Sequence, residues 1–197
     1  DSSTIFYKVN ARFRGDPYPG ALAAIDYLVC REGKTFEERK YKKIVVSRPV
    51  QPMGKDIGFL PGTMEEKMLP WLMPIQDNLK FLMGDRANMQ MYMEKGKIEI
   101  EALTYIRGMS IANAFIVIDE AQNLTKHENK TIITRFGEGT KIVFTGDPNQ
   151  IDHPYLDSDS NGLTWLAKKL HGQKIIGHIT LSQGERSDLA ELAADLL

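Results

Sequence analysis

Two short polar segments, each directly after an apolar run, concentrate the groups in this sequence that can do chemistry. Ala114-Phe115-Ile116-Val117-Ile118 leads into Asp119-Glu120-Ala121-Gln122-Asn123, and Lys141-Ile142-Val143-Phe144-Thr145 leads into Gly146-Asp147-Pro148-Asn149-Gln150. Adjacent carboxylates leaving a dry strand can divide their work. The first holds a hydrated Mg2+, and the second orients or deprotonates a water for attack on a phosphate. The plainer alternative is that Asp119 caps the next helix while Glu120 is solvated. Gly146 and Pro148 make a tight turn that presents Asp147 and Gln150 at the same sheet edge as Asp119. An amide such as Gln150 can sense a γ-phosphate or orient the attacking water there. An ordinary Asp-Pro turn would account for the second segment alone. The two segments on neighbouring apolar strands are much more specific than either by itself.

The elements that must position these groups are legible as alternating apolar runs and helical patterns. Ile116 and its neighbours form a continuous apolar stretch, as a central parallel strand needs when helices cover both faces. Lys43-Ile44-Val45-Val46-Ser47 is another strand, stopped at Arg48-Pro49 because proline cannot donate to a ladder. Lys97 to Leu103 alternates strictly, which fits a strand with one face exposed. A further strand is expected at 175–181, and helices at 21–30, 64–84, 125–136, 162–170 and 187–197. Residues 51–62 read as a shaped loop, and Arg86 to Tyr92 as the flank of an insertion. Strands alternating with helices predict an α/β fold with a mostly parallel sheet flanked by helices. In such a sheet, ligands sit beyond the carboxyl ends of the strands.

Composition narrows the class. The 197 residues are 42% hydrophobic and 26% charged, enough for a real core, and 25 basic against 26 acidic residues exclude a histone-like polycation. A local basic groove is still compatible with that balance. A single cysteine, Cys30, excludes a disulfide framework and a cysteine-based zinc site within the chain. No apolar run reaches membrane-spanning length, and Asp1-Ser2-Ser3-Thr4 lacks a basic leader region, so a cytoplasmic protein without membrane contact is expected. The four histidines share no metal-ligand spacing. Asp157, Asp159 and Asn161 resemble part of a calcium loop, but the required bidentate glutamate is lacking, so the stretch reads as a solvated loop over the site.

The motifs together resemble a known family. Ile118-Asp119-Glu120-Ala121-Gln122-Asn123 looks like a Walker B (helicase motif II) segment, and Thr145-Gly146-Asp147-Pro148-Asn149-Gln150 like motif III of superfamily-one helicases. With Ser47-Arg48-Pro49, Gly58-Phe59-Leu60-Pro61-Gly62, Thr104-Tyr105-Ile106-Arg107-Gly108 and Gly184-Glu185-Arg186-Ser187, they resemble the PhoH family of ATPases over about residues 21–197. The resemblance is greatest to the PhoH domain of longer members that carry an N-terminal PIN ribonuclease domain. It implies a RecA-like P-loop NTPase core at 21–197, preceded by a linker remnant at 1–20. The implied ligands are ATP and Mg2+, with single-stranded RNA, or DNA, as the nucleic-acid partner and RNA unwinding or remodelling as the outcome. Since monomeric helicases place nucleotide between two such cores, a single core implies a homo-oligomer, most simply a ring. Residues 1–20 are too short for a PIN domain, so no ribonuclease activity is expected of these residues.

On this resemblance Asp119 ligates magnesium through water, Glu120 is the catalytic base, and Gln150 and Asp147 sense the γ-phosphate and complete the metal shell. Arg186 matches the helicase arginine that stabilises transferring charge. Arg48 stands where motif Ia touches single-stranded nucleic acid, with a sheet-edge salt bridge as the alternative. Arg107 can contact a phosphate backbone while Tyr105 stacks a base, although an arginine packed on tyrosine is equally compatible. Arg135 is a candidate to act in trans across a subunit boundary. One departure stands out. The Gly-x-x-x-x-Gly-Lys-Ser/Thr phosphate cradle should precede the helix beginning near Ala21, but Pro17-Tyr18-Pro19-Gly20 stands there. Gly33-Lys34-Thr35 does not replace it, because position 28 is Leu and the segment follows a helical pattern. The cradle is therefore expected to be missing from the sequence between about Gly20 and Ala21, which would flank the nucleotide.

Overall fold

The computed structural model describes residues 4–9, 41–49, 73, 75–77, 79–80, 86–106 and 110–181. Six strands form one sheet in the order β3-β2-β4-β5-β1-β6, with every strand pair parallel. They are β1 (Thr4–Val9), β2 (Lys43–Arg48), β3 (Ile98–Ala102), β4 (Ala114–Ile118), β5 (Lys141–Phe144) and β6 (Ile176–Leu181). Among the described residues the helices are α1 (Arg86–Glu94), α2 (Leu103–Ile106), α3 (Lys126–Ile133) and α4 (Gly162–Leu170), with a 3-10 turn at Ala121–Asn123. Residues 73, 75–77 and 79–80 are helical as well, inside the helix expected at 64–84.

The predicted α/β architecture is present, and the apolar runs explain it. All five residues of β4 are buried, and alternate side chains feed two cores on opposite faces. Ile116 and Ile118 join Val45, Phe144, Ile132, Leu163 and Leu166, so α3 and α4 cover that face. Phe115 and Val117 join Ile44, Val46, Val143, Ile75, Leu79 and Met89 on the other. Burying both faces of a β-branched sheet is the main stabilising term, worth roughly 1.5–3 kcal/mol for each fully buried Val, Leu, Ile or Phe.

Two expectations need correction. Residues 1–20 are not merely a linker remnant. Thr4–Val9 lies inside the sheet between β5 and β6, paired with β6 from Thr4↔Ile176 to Val9↔Leu181. Arg86 to Tyr92, expected at the flank of an insertion, forms most of α1, which turns at Gly96 (φ 62°) into β3, and residues 81–85 before it lie outside the described residues. The 125–136 helix is shorter than expected, because Thr125 caps α3 and the helix ends at Ile133. The helices expected at 21–30 and 187–197 and the loop at 51–62 lie outside the described residues.

Candidate nucleotide and metal site

Backbone hydrogen bonds extend the sheet past the carboxyl ends of β4 and β5 and fix where the polar residues leave it. The Asp119 N–H donates to the Ser47 carbonyl at 2.8 Å, the Thr145 N–H to the Ile118 carbonyl at 2.9 Å, and the Ala121 N–H to the Thr145 carbonyl at 2.9 Å. Asp119 therefore starts from a rigid platform. It does not cap the following helix; that role belongs to Thr125, whose hydroxyl accepts from the Glu128 N–H while the Glu128 carboxylate accepts from the Thr125 N–H.

Asp119 is buried, and its Oδ1 accepts a hydrogen bond from the Thr145 hydroxyl at 2.7 Å. Its Oδ2 is also buried and has no hydrogen-bond partner. Burial pushes the Asp119 pKa up, opposed by the Thr145 hydrogen bond and by the Arg48 charge. An unpartnered buried carboxylate oxygen is costly unless something positive meets it. That donor fits a hard divalent cation, directly or through water.

Glu120 takes left-handed backbone angles (φ 52°, ψ 38°), which a non-glycine residue holds only when its surroundings fix it. Its Oε1 meets Arg48 Nη2 at 3.3 Å, and its Oε2 accepts from Gln122 Nε2. Burial and then the neighbouring Asp119 push its pKa up to about 7, against the lowering effects of Arg48 and Gln122. A carboxylate with that pKa is suited to exchange protons near neutrality.

The second segment sits alongside. Asp147 Oδ1 accepts from the Asn149 N–H at 2.9 Å, and Oδ2 accepts from Gln150 Nε2 at 2.7 Å, so the aspartate organises its own turn. Gln122 crosses between the segments, its Nε2 donating to the Gln150 carbonyl at 2.8 Å and its Oε1 accepting from the Asp147 N–H at 3.2 Å. Asn123 extends the link, its Oδ1 accepting from the Asp152 N–H at 2.8 Å and the His153 N–H at 3.3 Å.

Asp119, Glu120, Asp147, Gln150 and Arg48 are thus brought to one edge of the sheet. Arg48 forms the salt bridge that sequence reasoning weighed against a nucleic-acid contact, and its partner is Glu120 itself. Arg135 is not part of this cluster. It follows α3, is exposed, and its carbonyl accepts from the Ile111 N–H ahead of β4, at the opposite edge. Tyr105 belongs to α2. Arg107, Arg186, Gly20 and Ala21 lie outside the described residues. The sequence contains no Gly-x-x-x-x-Gly-Lys-Ser/Thr element, and Gly20 and Ala21, between which it is expected to be missing, are outside the described residues. Sequence reasoning assigned no role to Thr145, Gln122 or Asn123. The sequence carries no clear signal for Gln122 and Asn123, which stand in a polar segment, and the burial that demands internal partners for all three is visible only in the structure.

A family model described as PhoH-like protein matches residues 28–196. Protein PhoH2 of Bacillus subtilis (strain 168) is 59% identical over 160 residues, covering 80% of this chain and 36% of that protein. Protein PhoH2 of Mycolicibacterium smegmatis is 36% identical over 163 residues, covering 82% of this chain and 37% of that protein. A PhoH-like protein of Bacillus subtilis (strain 168) is 40% identical over 142 residues, covering 72% and 44%. The chain therefore spans well under half the length of these relatives. The matched region contains both polar segments and Arg48, and on that span the chain belongs to the PhoH family, with a parallel α/β sheet consistent with that family's NTPase core.

Proposed function

We propose that this chain provides the metal- and water-handling part of a Mg2+-dependent ATPase that remodels single-stranded RNA, with DNA as the other possible strand. The observation that carries the reading is the pairing of a buried, half-unpartnered Asp119 with Glu120, held by Arg48 and Gln122, beside the Asp147–Gln150 turn. Bound Mg2+ supplies neutralisation of charge on the β- and γ-phosphate oxygens. Asp119 holds the metal through its hydration shell. Glu120 orients a water and takes its proton as the water oxygen attacks the γ-phosphorus. The bond from that phosphorus to the bridging oxygen breaks, leaving ADP and phosphate. Asp147 and Gln150 sense the γ-phosphate, and Arg186 offsets the charge that develops on it. Gly20 and Ala21 lie beside the nucleotide in this reading.

Arg48, Tyr105 and Arg107 are the contacts for the strand, and affinity resting on phosphate contacts falls steeply with salt. The assembly is a homo-oligomeric ring in the cytoplasm. Arg135, at the sheet edge away from Asp119, reaches a neighbouring subunit's site. Among the described residues no helix is long and apolar enough to cross a membrane.

One observation favours a second reading, a nucleotide-gated RNA-binding module with little or no turnover. The sequence has no phosphate cradle, and the family match begins only at residue 28. Steady-state ATP hydrolysis with and without Mg2+ and single-stranded RNA separates the two, with Glu120→Gln as the comparison. RNA-stimulated turnover that disappears in the variant supports the ATPase. Nucleotide binding that is indifferent to Glu120→Gln, with no RNA-stimulated hydrolysis, supports the module.

A further inference from the structure

Gln122 has no step in the reaction above, yet its side chain is fully buried and completely engaged. One amide N–H reaches Glu120 Oε2, the other reaches the Gln150 carbonyl, and the amide oxygen accepts from the Asp147 N–H. A primary amide has two donors and one carbonyl oxygen, and all three groups are used here to join segments 25 and 28 residues apart. The fit is tight enough to dictate a neighbour. A Cβ on Gly146 would stand 2.2 Å from Gln122 Oε1 and 3.1 Å from the Ala121 and Gln122 backbone nitrogens. Glycine at 146 is therefore required for the crossing itself.

We infer that Gln122 is a positioning residue that ties the orientation of the Glu120 carboxylate to the conformation of the Asp147–Gln150 turn. For its catalytic consequence the inference rests on the ATPase reading; the tie itself does not. Glu120 has two carboxylate oxygens with different keepers, Arg48 at one and Gln122 at the other. Arg48 belongs to β2, on the side of β4 away from β5. Gln122 instead takes its own bearings from main-chain groups of the turn after β5. A shift of that turn, as contact of Asp147 or Gln150 with a terminal phosphate would produce, moves two of the three groups that hold Gln122. The amide then carries the displacement to Glu120. Asparagine carries the same planar amide on a stem one methylene shorter, which does not span the same distance, and no other side chain of this length offers two donors and an acceptor in one plane. Glutamate would set a carboxylate against Glu120 and the Gln150 carbonyl, and methionine would fill the space without the bonds.

Two measurements on the full chain test this. In nucleotide-free protein, Gln122→Met should speed hydrogen exchange at the Asp147 amide by about fivefold or more, because its acceptor is gone. Glu120→Ala, at the other end of the crossing, should speed exchange at the same amide. In Mg2+-ATP turnover, Gln122→Met should lower kcat about 10- to 100-fold while KM stays within about threefold. Gly146→Ala keeps every functional group and displaces Gln122, so it should reproduce the kcat loss; it also serves if Gln122→Met folds poorly. Unchanged exchange at Asp147 in either folded variant overturns the tie. Normal kcat in folded Gln122→Met, or kcat and KM changing together with a falling Tm, overturns the positioning role. If the unmodified protein does not hydrolyse ATP, the ATPase reading falls, and exchange at Asp147 still decides whether the tie exists.

Discussion

Both edges of the parallel sheet carry backbone hydrogen bonds, and they differ in how many side-chain bonds are added to them. At the amino edge the loops before β4 and β5 are tied mainly by backbone to backbone. The Gly137 N–H donates to the Ile111 carbonyl at 2.7 Å, the Asn113 N–H to the Glu138 carbonyl at 3.0 Å, and the Lys42 N–H to the Asn113 carbonyl at 2.7 Å. At the carboxyl edge the backbone bonds of Asp119, Ala121 and Thr145 are joined by ties through the side chains of Asp119, Gln122, Asn123, Thr145 and Asp147. Backbone ties tolerate most residue types, whereas side-chain ties specify the residue. The amino edge therefore carries stability with little demand on chemistry. Each edge holds one non-glycine residue in left-handed geometry, Asn113 at the amino edge and Glu120 at the carboxyl edge, but the carboxyl edge adds an unpartnered buried carboxylate oxygen, which costs stability. Substitutions at the two edges should separate activity from stability.

The largest separation is expected at Glu120. Glu120→Gln keeps the shape and removes the base, so ATP turnover should fall by about 10³-fold, within the range for a lost general base. Its Tm should stay level or rise, since a buried carboxylate is lost. A matched fall in Tm and activity, read by calorimetry beside the ATPase assay, would erase the distinction between the edges.

The pH response sharpens the same comparison, because activity and stability should move in opposite directions. Turnover depends on ionised Glu120 and should drop about tenfold per unit below its pKa. That pKa is about 7, raised by burial and by Asp119 from an ordinary value of 4.5. The folded state therefore binds the proton more tightly than the unfolded chain. The stabilising contribution is fully present below the unfolded value and is lost as pH rises through about 7. Asp119 is shifted in the same direction. Metal-free protein should thus lose stability across the window in which the enzyme gains rate. Glu120→Gln should remove this step from the rate profile. It should also reduce the slope of the stability curve to the share left by Asp119, a result readable for stability from denaturant midpoints at pH 5 to 8.

How much of this was legible in the sequence follows from the same contrast. Asp119, Glu120, Asp147 and Gln150 could be placed because each follows an apolar run whose burial is a local property. Arg48 could be placed at a strand end by Pro49, but nothing local pointed to Glu120, 72 residues away, as its partner. Gln122, Asn123 and Thr145 act through contacts 25 to 30 residues distant that leave no periodic trace. Thr4–Val9 was read as part of a linker, although Ile5, Phe6, Tyr7 and Val9 suit a strand. Six residues bounded by polar sequence do not reveal that β5 and β6 need a strand between them.

At the amino edge, Gly139→Ala is the matching test. Gly139 has φ +71°, and an added Cβ would lie 2.5 Å from Asn113 Oδ1. The strain of a left-handed alanine should cost about 1–2 kcal/mol. The Asn113 side chain is exposed and can move aside, so the steric part is small. Turnover per folded molecule should be unchanged. A kcat loss without a Tm loss would show that the amino edge also reports to the site.

The smallest effect is expected where a side-chain tie serves only the scaffold. Thr125 caps α3 through a reciprocal pair with Glu128, and it lies one residue after Leu124, whose carbonyl accepts from the Gly162 N–H at 2.6 Å. Thr125→Ala removes the hydroxyl and should cost about 1 kcal/mol, the usual worth of a helix cap. Because α3 leaves the carboxyl edge just after Asn123, this substitution is close to Glu120 in sequence. It touches none of the bonds that orient Glu120, which run instead to Arg48 and Gln122. A lowered Tm with normal kcat would show that the carboxyl edge is divisible, with chemistry in the crossing between segments and stability in the caps. A kcat loss of the size expected for Gln122→Met would mean that the helix start itself sets the angle of the Asp119–Asn123 segment. The function of this edge would then rest on a longer stretch of backbone than its hydrogen bonds indicate.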